Sequence, residues 1–218
     1  MSLLNASERL LSGERVAVVA VDMPLAKTPI TGRRTSDNAL SRRFGAQGCG
    51  THSPSAMRPG PVGTAMSDGC TRLGYNLATC KVLRPDKALI EVYPHPALLS
   101  LLRADRRIQY KVSKSSKYWP RTTVRFRIER LLEEMRKILN GMRSEITGIE
   151  LLLPSHDQVA TLAELKPYED TLDALVCCWV GTKYLAGQVE PFGDDDSSIW
   201  CPKQVATGDS KQPRARSC

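Results

Sequence analysis

Four acidic residues fall where strands and helices of this chain should end. Asp22 directly follows the run Val16 to Val21 (VAVVAV), Glu91 lies inside Ala88 to Tyr93 (ALIEVY), and Asp170 and Asp173 open a helical stretch. Asp170 and Asp173 are three apart, so a helix sets them on one face. If the two strands are neighbours and the helix packs against their ends, the carboxylates converge. Converging carboxylates form a hard-oxygen site suited to Mg²⁺ or Mn²⁺. Such ions stabilise the attacking and leaving oxygens of phosphoryl transfer. The plainer reading is that Asp170 and Asp173 complement a helix N-terminus and that Glu91 faces water. His52, in Gly48 to Pro54 (GCGTHSP), is a lone loop histidine, more often a surface or hydrogen-bonded group than a base.

The net charge of +8 is unevenly placed. Arg103 to Arg143 holds 13 Lys/Arg against four Asp/Glu, a surplus of nine, so the rest of the chain sums to −1. A basic stretch of this kind suits an anionic partner, nucleic acid first. Within it, Lys111, Lys114 and Lys117 alternate with Ser113, Ser115 and Ser116, flanked by Tyr110, Tyr118 and Trp119. Cations and hydroxyls bind phosphates, and aromatic rings stack on bases; the competing reading is an exposed loop anchored by Trp119. Asp194 to Asp196 read as a turn, because the ligand spacing of a calcium loop is absent.

The elements that must position these groups follow from periodicity. VAVVAV reads as a strand buried on both faces. ALIEVY reads as a second strand, with Leu89, Glu91 and Tyr93 on one face and Ile90 and Val92 on the other. Helices are expected over 36–44, 97–102, 124–142 and 167–185. The third carries apolar residues from Val124 to Met142 in steps of three and four, with Arg125/Glu129, Arg130/Glu134 and Glu133/Lys137 as i,i+4 pairs. Thr28 to Gly69 is rich in Gly, Pro, Ser and Arg and reads as a long functional loop around the 36–44 helix. Ser198 to Cys201 reads as an edge strand, and Lys203 to Cys218 as a disordered tail. Strands alternating with helices give α/β with a partly parallel sheet, here as one domain over 1–202. The seven cysteines include no Cys-x-x-Cys pair, which argues against zinc and for a reducing cytoplasm. No run approaches the roughly 20 apolar residues of a membrane span, and no signal peptide is visible.

Several blocks carry a resemblance. They are Val21-Asp22-Met23-Pro24-Leu25, Arg33 to Asp37 (RRTSD), GCGTHSP, Glu91 to His95 (EVYPH), Lys111 to Pro120 (KVSKSSKYWP), Asp170 to Gly181 (DTLDALVCCWVG) and Pro191 to Pro202 (PFGDDDSSIWCP). In this order they resemble domain-of-unknown-function family 429, a predicted nuclease group with a ribonuclease H-like fold related to Holliday-junction resolvases. The resemblance implies a mixed sheet flanked by helices and a metal-dependent nuclease. Asp22, Asp170 and Asp173 would hold Mg²⁺ or Mn²⁺, with Glu91 as a fourth carboxylate, and Lys111, Lys114, Lys117 and Trp119 would contact nucleic acid. Proteins of this fold open with a three-strand meander whose first strand carries an Asp. The residues before Asp22 have room for a helix remnant and one strand only. The expectation is therefore a chain starting partway through the fold, lacking the first metal ligand, with a sheet edge open to homodimerisation. The alternatives are a non-catalytic nucleic-acid or protein-binding module and a small-molecule phosphohydrolase.

Overall fold

The computed structural model of the chain describes residues 3–204. Helix α1 (Leu3–Leu10) leads to β1 (Val18–Val21), then α2 (Thr35–Phe44), α3 (Pro61–Arg72), β2 (Asn76–Leu77) and β3 (Ala88–Val92). Helices α4 (Pro94–Leu102), α5 (Ser115–Tyr118), α6 (Val124–Glu145) and α7 (Lys166–Leu185) follow, and the hairpin β4 (Val189–Gly193) and β5 (Ser198–Pro202) closes the order.

The five strands form one mixed sheet in the order β1-β3-β5-β4, with the short β2 also paired to β3. β1, β2 and β5 run parallel to β3, and β4 is antiparallel to β5. β3 is the centre, and all five of its residues are buried. Its alternation follows the expected period. Ile90 and Val92 enter the main core, with Ile128, Leu131, Leu132, Met135 and Ile138 of α6 and Val176 and Val180 of α7. Leu89 faces the other way, onto Leu25, Tyr75 and Leu77.

Two strand expectations are corrected. β1 is a half-buried edge strand, not one enclosed on both faces. β5 is an interior strand between β3 and β4 with every residue buried, and β4 takes the edge instead. Pro191 is tolerated in β4 because an edge strand has one row of N–H groups with no ladder partner. The segment expected to be irregular to Gly69 turns helical at Pro61, which sits in the first turn of α3 and needs no N–H there. The expected helices are present within a few residues, α4 starting earlier, at Pro94. On α6 the observed pairs are Arg130 with Glu133 and Lys137 with Glu134, both i,i+3, while Arg125 turns to Asp157. The expectation of a disordered tail falls, from 205 on, outside the described residues.

α7 lies against β1. A Cβ added at Gly181 would stand 3.8 Å from both Ala20 and Val18, so the helix axis approaches the strand closely. That contact places the first turns of α7 beside Asp22. Among the described residues no helix is long and apolar enough to cross a membrane. Cys49, Cys70, Cys80, Cys177, Cys178 and Cys201 are free thiols; Cys177 is buried and its neighbour Cys178 exposed.

Candidate active site

Three carboxylates, Glu169, Asp170 and Asp173, cluster where α7 begins, and Asp22 at the end of β1 lies within reach of their charge. Asp22 leaves the strand just after Val21. From α7 come Glu169 and Asp173, 3% and 8% exposed, one helical turn apart. Asp173 Oδ1 accepts from the Tyr110 hydroxyl at 2.5 Å, and Asp173 Oδ2 from the Lys111 ammonium. Glu169 Oε2 accepts the Val112 N–H at 2.6 Å, and Oε1 accepts from Lys166 at 3.0 Å with Lys111 at 3.6 Å. Lys166 also donates to Asp170 at 2.5 Å. One oxygen from each of Glu169, Asp170 and Asp173 lies within 4.8 Å of the others.

Asp22 is open to solvent on its outer side yet crowded by protein on the other. That crowding, with the like charge of Asp173, raises its pKa to about 6. Lys111 and Lys166 pull the other way. Burial likewise raises Asp173, opposed by Lys111 and Tyr110. Tyr110 is held well above its ordinary value by burial and by Asp173. Carboxylates that resist ionisation need positive charge nearby, and here lysine supplies it.

The expected residues thus separate. Asp22 lies within electrostatic reach of Asp173, and Asp170, exposed and paired with Lys166, shares a cluster with Glu169 and Asp173. Glu169 takes the inward position that the sequence reading gave to Asp170. The signal was present: the buried residues Asp173, Cys177 and Gly181 step by four, and one more step back reaches Glu169. Lys111 does not face outward for nucleic acid; it sits among the carboxylates. Lys114 is half-buried and Lys117 exposed, and Trp119 packs against the main core, as the anchored-loop alternative had it. His52 is exposed.

Glu91 belongs to a different cluster, which corrects its place as a fourth carboxylate. Its oxygens accept from Arg34 Nη1 and Nη2 at 2.6 and 2.7 Å, and Oε2 also takes the Leu25 N–H at 2.7 Å. Arg34 grips Asp37 as well, through Nε and Nη2 at 3.0 Å each. Burial pushes the Glu91 carboxyl up to about 7 against the pull of Arg34. This fork ties β3 to the start of α2 and to the loop after β1. Asp194 caps its turn as expected, accepting the N–H groups of Asp196 and Ser197 at 2.9 and 3.0 Å.

A family model described as "Protein of unknown function (DUF429)" matches residues 3–198. Neither the curated proteins nor the solved structures give a match.

Proposed function

The chain belongs to the DUF429 family, and we propose that it is a metal-dependent nuclease with a ribonuclease H-like fold, acting on phosphodiester bonds. The observation that supports this reading is the cluster of Glu169, Asp170 and Asp173 in the first turns of α7, with Asp22 at the end of β1 within electrostatic reach of it. The donor set fits a hard divalent cation, because every donor is a carboxylate oxygen and three of them lie within 4.8 Å of one another. Asp22 and Asp173, with Glu169 and Asp170 beside them, would hold Mg²⁺ or Mn²⁺. Bound there, such an ion acidifies water and stabilises charge on a phosphate.

The remaining work falls to the chain itself. Tyr110 and the Val112 N–H hold Asp173 and Glu169 in place. Lys111 neutralises both carboxylates. Lys114 and Lys117, on the same segment, extend positive charge along the path of a nucleic-acid backbone.

Asp173→Asn preserves an acceptor for Tyr110 and removes the charge. The variant is expected to fold, with an unchanged circular dichroism spectrum, and to lose Mg²⁺-dependent cleavage of oligonucleotides. Cleavage at the wild-type rate would refute the nuclease reading. A second reading, a non-catalytic nucleic-acid-binding module, is favoured by one observation: Lys111 and Lys166 already neutralise Glu169, Asp170 and Asp173. It predicts salt-dependent binding without turnover in the wild type. Hydrolysis of nucleotides but not of oligonucleotides would point to a small-molecule phosphohydrolase.

A further inference from the structure

Beside the carboxylate cluster stands a cation with no carboxylate of its own. Arg107 is half-buried, and no acidic side chain among the described residues lies within ion-pair distance of it. It is nonetheless built in. Its backbone N–H donates to the Gln47 carbonyl at 2.8 Å. Its Cβ closes on Gly48, where an added Cβ would stand 3.4 Å away and where φ is +80°. Its Nη2 donates to His95 Nε2 at 2.5 Å. A guanidinium only donates, so the ring proton of His95 sits on Nδ1.

The groups around Arg107 are neutral. Tyr93, His95, Tyr118 and Cys49 all feel its charge. The Arg107 Nε–H and the His95 Nδ1–H are buried with no hydrogen-bond partner among the described residues, and the hydroxyls of Tyr93 and Tyr118 stand beside the guanidinium as uncharged neighbours. Buried donors and a buried charge are costly until an acceptor meets them. A half-buried guanidinium without a carboxylate, with one N–H left without a partner and held in place by His95, itself 2% exposed, suits an oxyanion.

The position relative to the carboxylates follows from two contacts. The His95 ring meets Tyr110 edge-on at 5.5 Å, and the Tyr110 hydroxyl donates to Asp173. Arg107 and Asp173 therefore flank one His95–Tyr110 pair, and Lys111 acts on both sides of it. One continuous run of contacts thus leads from Arg107 through His95 and Tyr110 to Asp173.

We propose that Arg107 is a phosphate-binding residue for a nucleic-acid backbone, its guanidinium taking the oxygens of a phosphate next to the one at Asp22 and Asp173. His95 is the positioning residue that holds the fork. The inference rests on the nucleic-acid reading above and does not require cleavage.

The test is binding in EDTA, which separates it from catalysis. Fluorescence anisotropy of the full chain with a labelled single-stranded oligonucleotide is expected to show R107Q binding about tenfold more weakly than wild type. The slope of log Kd against log salt should fall by about 0.7. R107K keeps the charge and loses the fork, so it should retain the slope and lose part of the affinity. Equal affinity and slope in R107Q and wild type would overturn the proposal, as would absence of wild-type binding at low salt. A wild-type measurement avoids any folding defect of the variants: the Arg107 Nε–H resonance should shift on adding the oligonucleotide and shift back little with competing inorganic phosphate. No shift with the oligonucleotide overturns the proposal. A shift with inorganic phosphate alone overturns the nucleic-acid backbone as the source. If D173N cleaves normally while R107Q loses binding, the nuclease assignment to Asp173 fails and the phosphate site stands; the reverse pattern removes the site and leaves the nuclease.

Discussion

His95 gives the sharpest test of the electrostatics around the site. It lies in the first turn of α4 between Pro94 and Pro96 and is 2% exposed. Burial, then the positive charges of Arg107, Lys111 and His52, hold its pKa well below 6.5. The aromatic groups facing it, Tyr93 and Tyr110, offer no negative charge near neutral pH. In the unfolded chain the same imidazole titrates near 6.5. The folded value is the lower one, so on acidification the unfolded state takes the proton first. The contribution to stability is complete above pH 6.5 and is lost as pH falls below it. Each pH unit below 6.5 costs up to about 1.4 kcal/mol, so the most that moving from about pH 7.5 to about pH 5 takes away through this residue is about 2 kcal/mol. His95→Gln places an amide oxygen where Nε2 accepts from Arg107 and cannot take a proton. Urea unfolding of both proteins at the two pH values isolates the term, because the carboxylates titrate alike in each. Wild type should lose more than H95Q, by up to about 2 kcal/mol. Equal losses, or a greater loss in H95Q, would refute the reasoning.

Two further outcomes follow from the buried charges. Arg34→Met leaves Glu91 and Asp37 buried without their guanidinium and should destabilise by about 3–5 kcal/mol in urea unfolding. Adding Glu91→Gln should recover part of that loss; simple additivity of the two changes would show that the fork is not a coupled unit. Lys111→Met removes the ammonium from Asp173 and Glu169. It should lower the metal-free melting temperature and enlarge the rise produced by Mn²⁺ relative to wild type, read by scanning fluorimetry. Equal rises would mean that Lys111 and the cation do not compete.

Much of the scaffold was legible because local patterns carry it. The α6 stripe from Ile128 to Met142 and the alternation of Leu89 and Ile90 each reflect one period of backbone geometry. Asp22 was legible too, since an acid directly after an apolar strand ends up at the sheet's edge of exit. α3 and β4 were not. α3 carries two internal glycines and little periodicity (PVGTAMSDGCTR) and is held by packing Cys70 against Tyr75 and Leu77. β4 contains Pro191, which reads as a strand breaker until its edge position is known. Asp170 and Glu169 are adjacent in sequence, and only the direction in which α7 faces β1 decides which of them turns inward.

The chain's own order of residues determined where helices and strands form, which faces are apolar, and that acids and bases gather near element ends. Steric preference and side-chain period act over a few residues, so they can be read locally. The tertiary structure alone decided which charges meet. Arg34 pairs with Glu91 across 57 positions, and Lys111 with Asp173 across 62. Such partners are chosen by burial, where an unpaired charge is costly, and burial is a property of the whole fold. That is why Glu91 became part of a structural fork, Lys111 entered the carboxylates, and Arg107 was left on His95 with no carboxylate among the described residues.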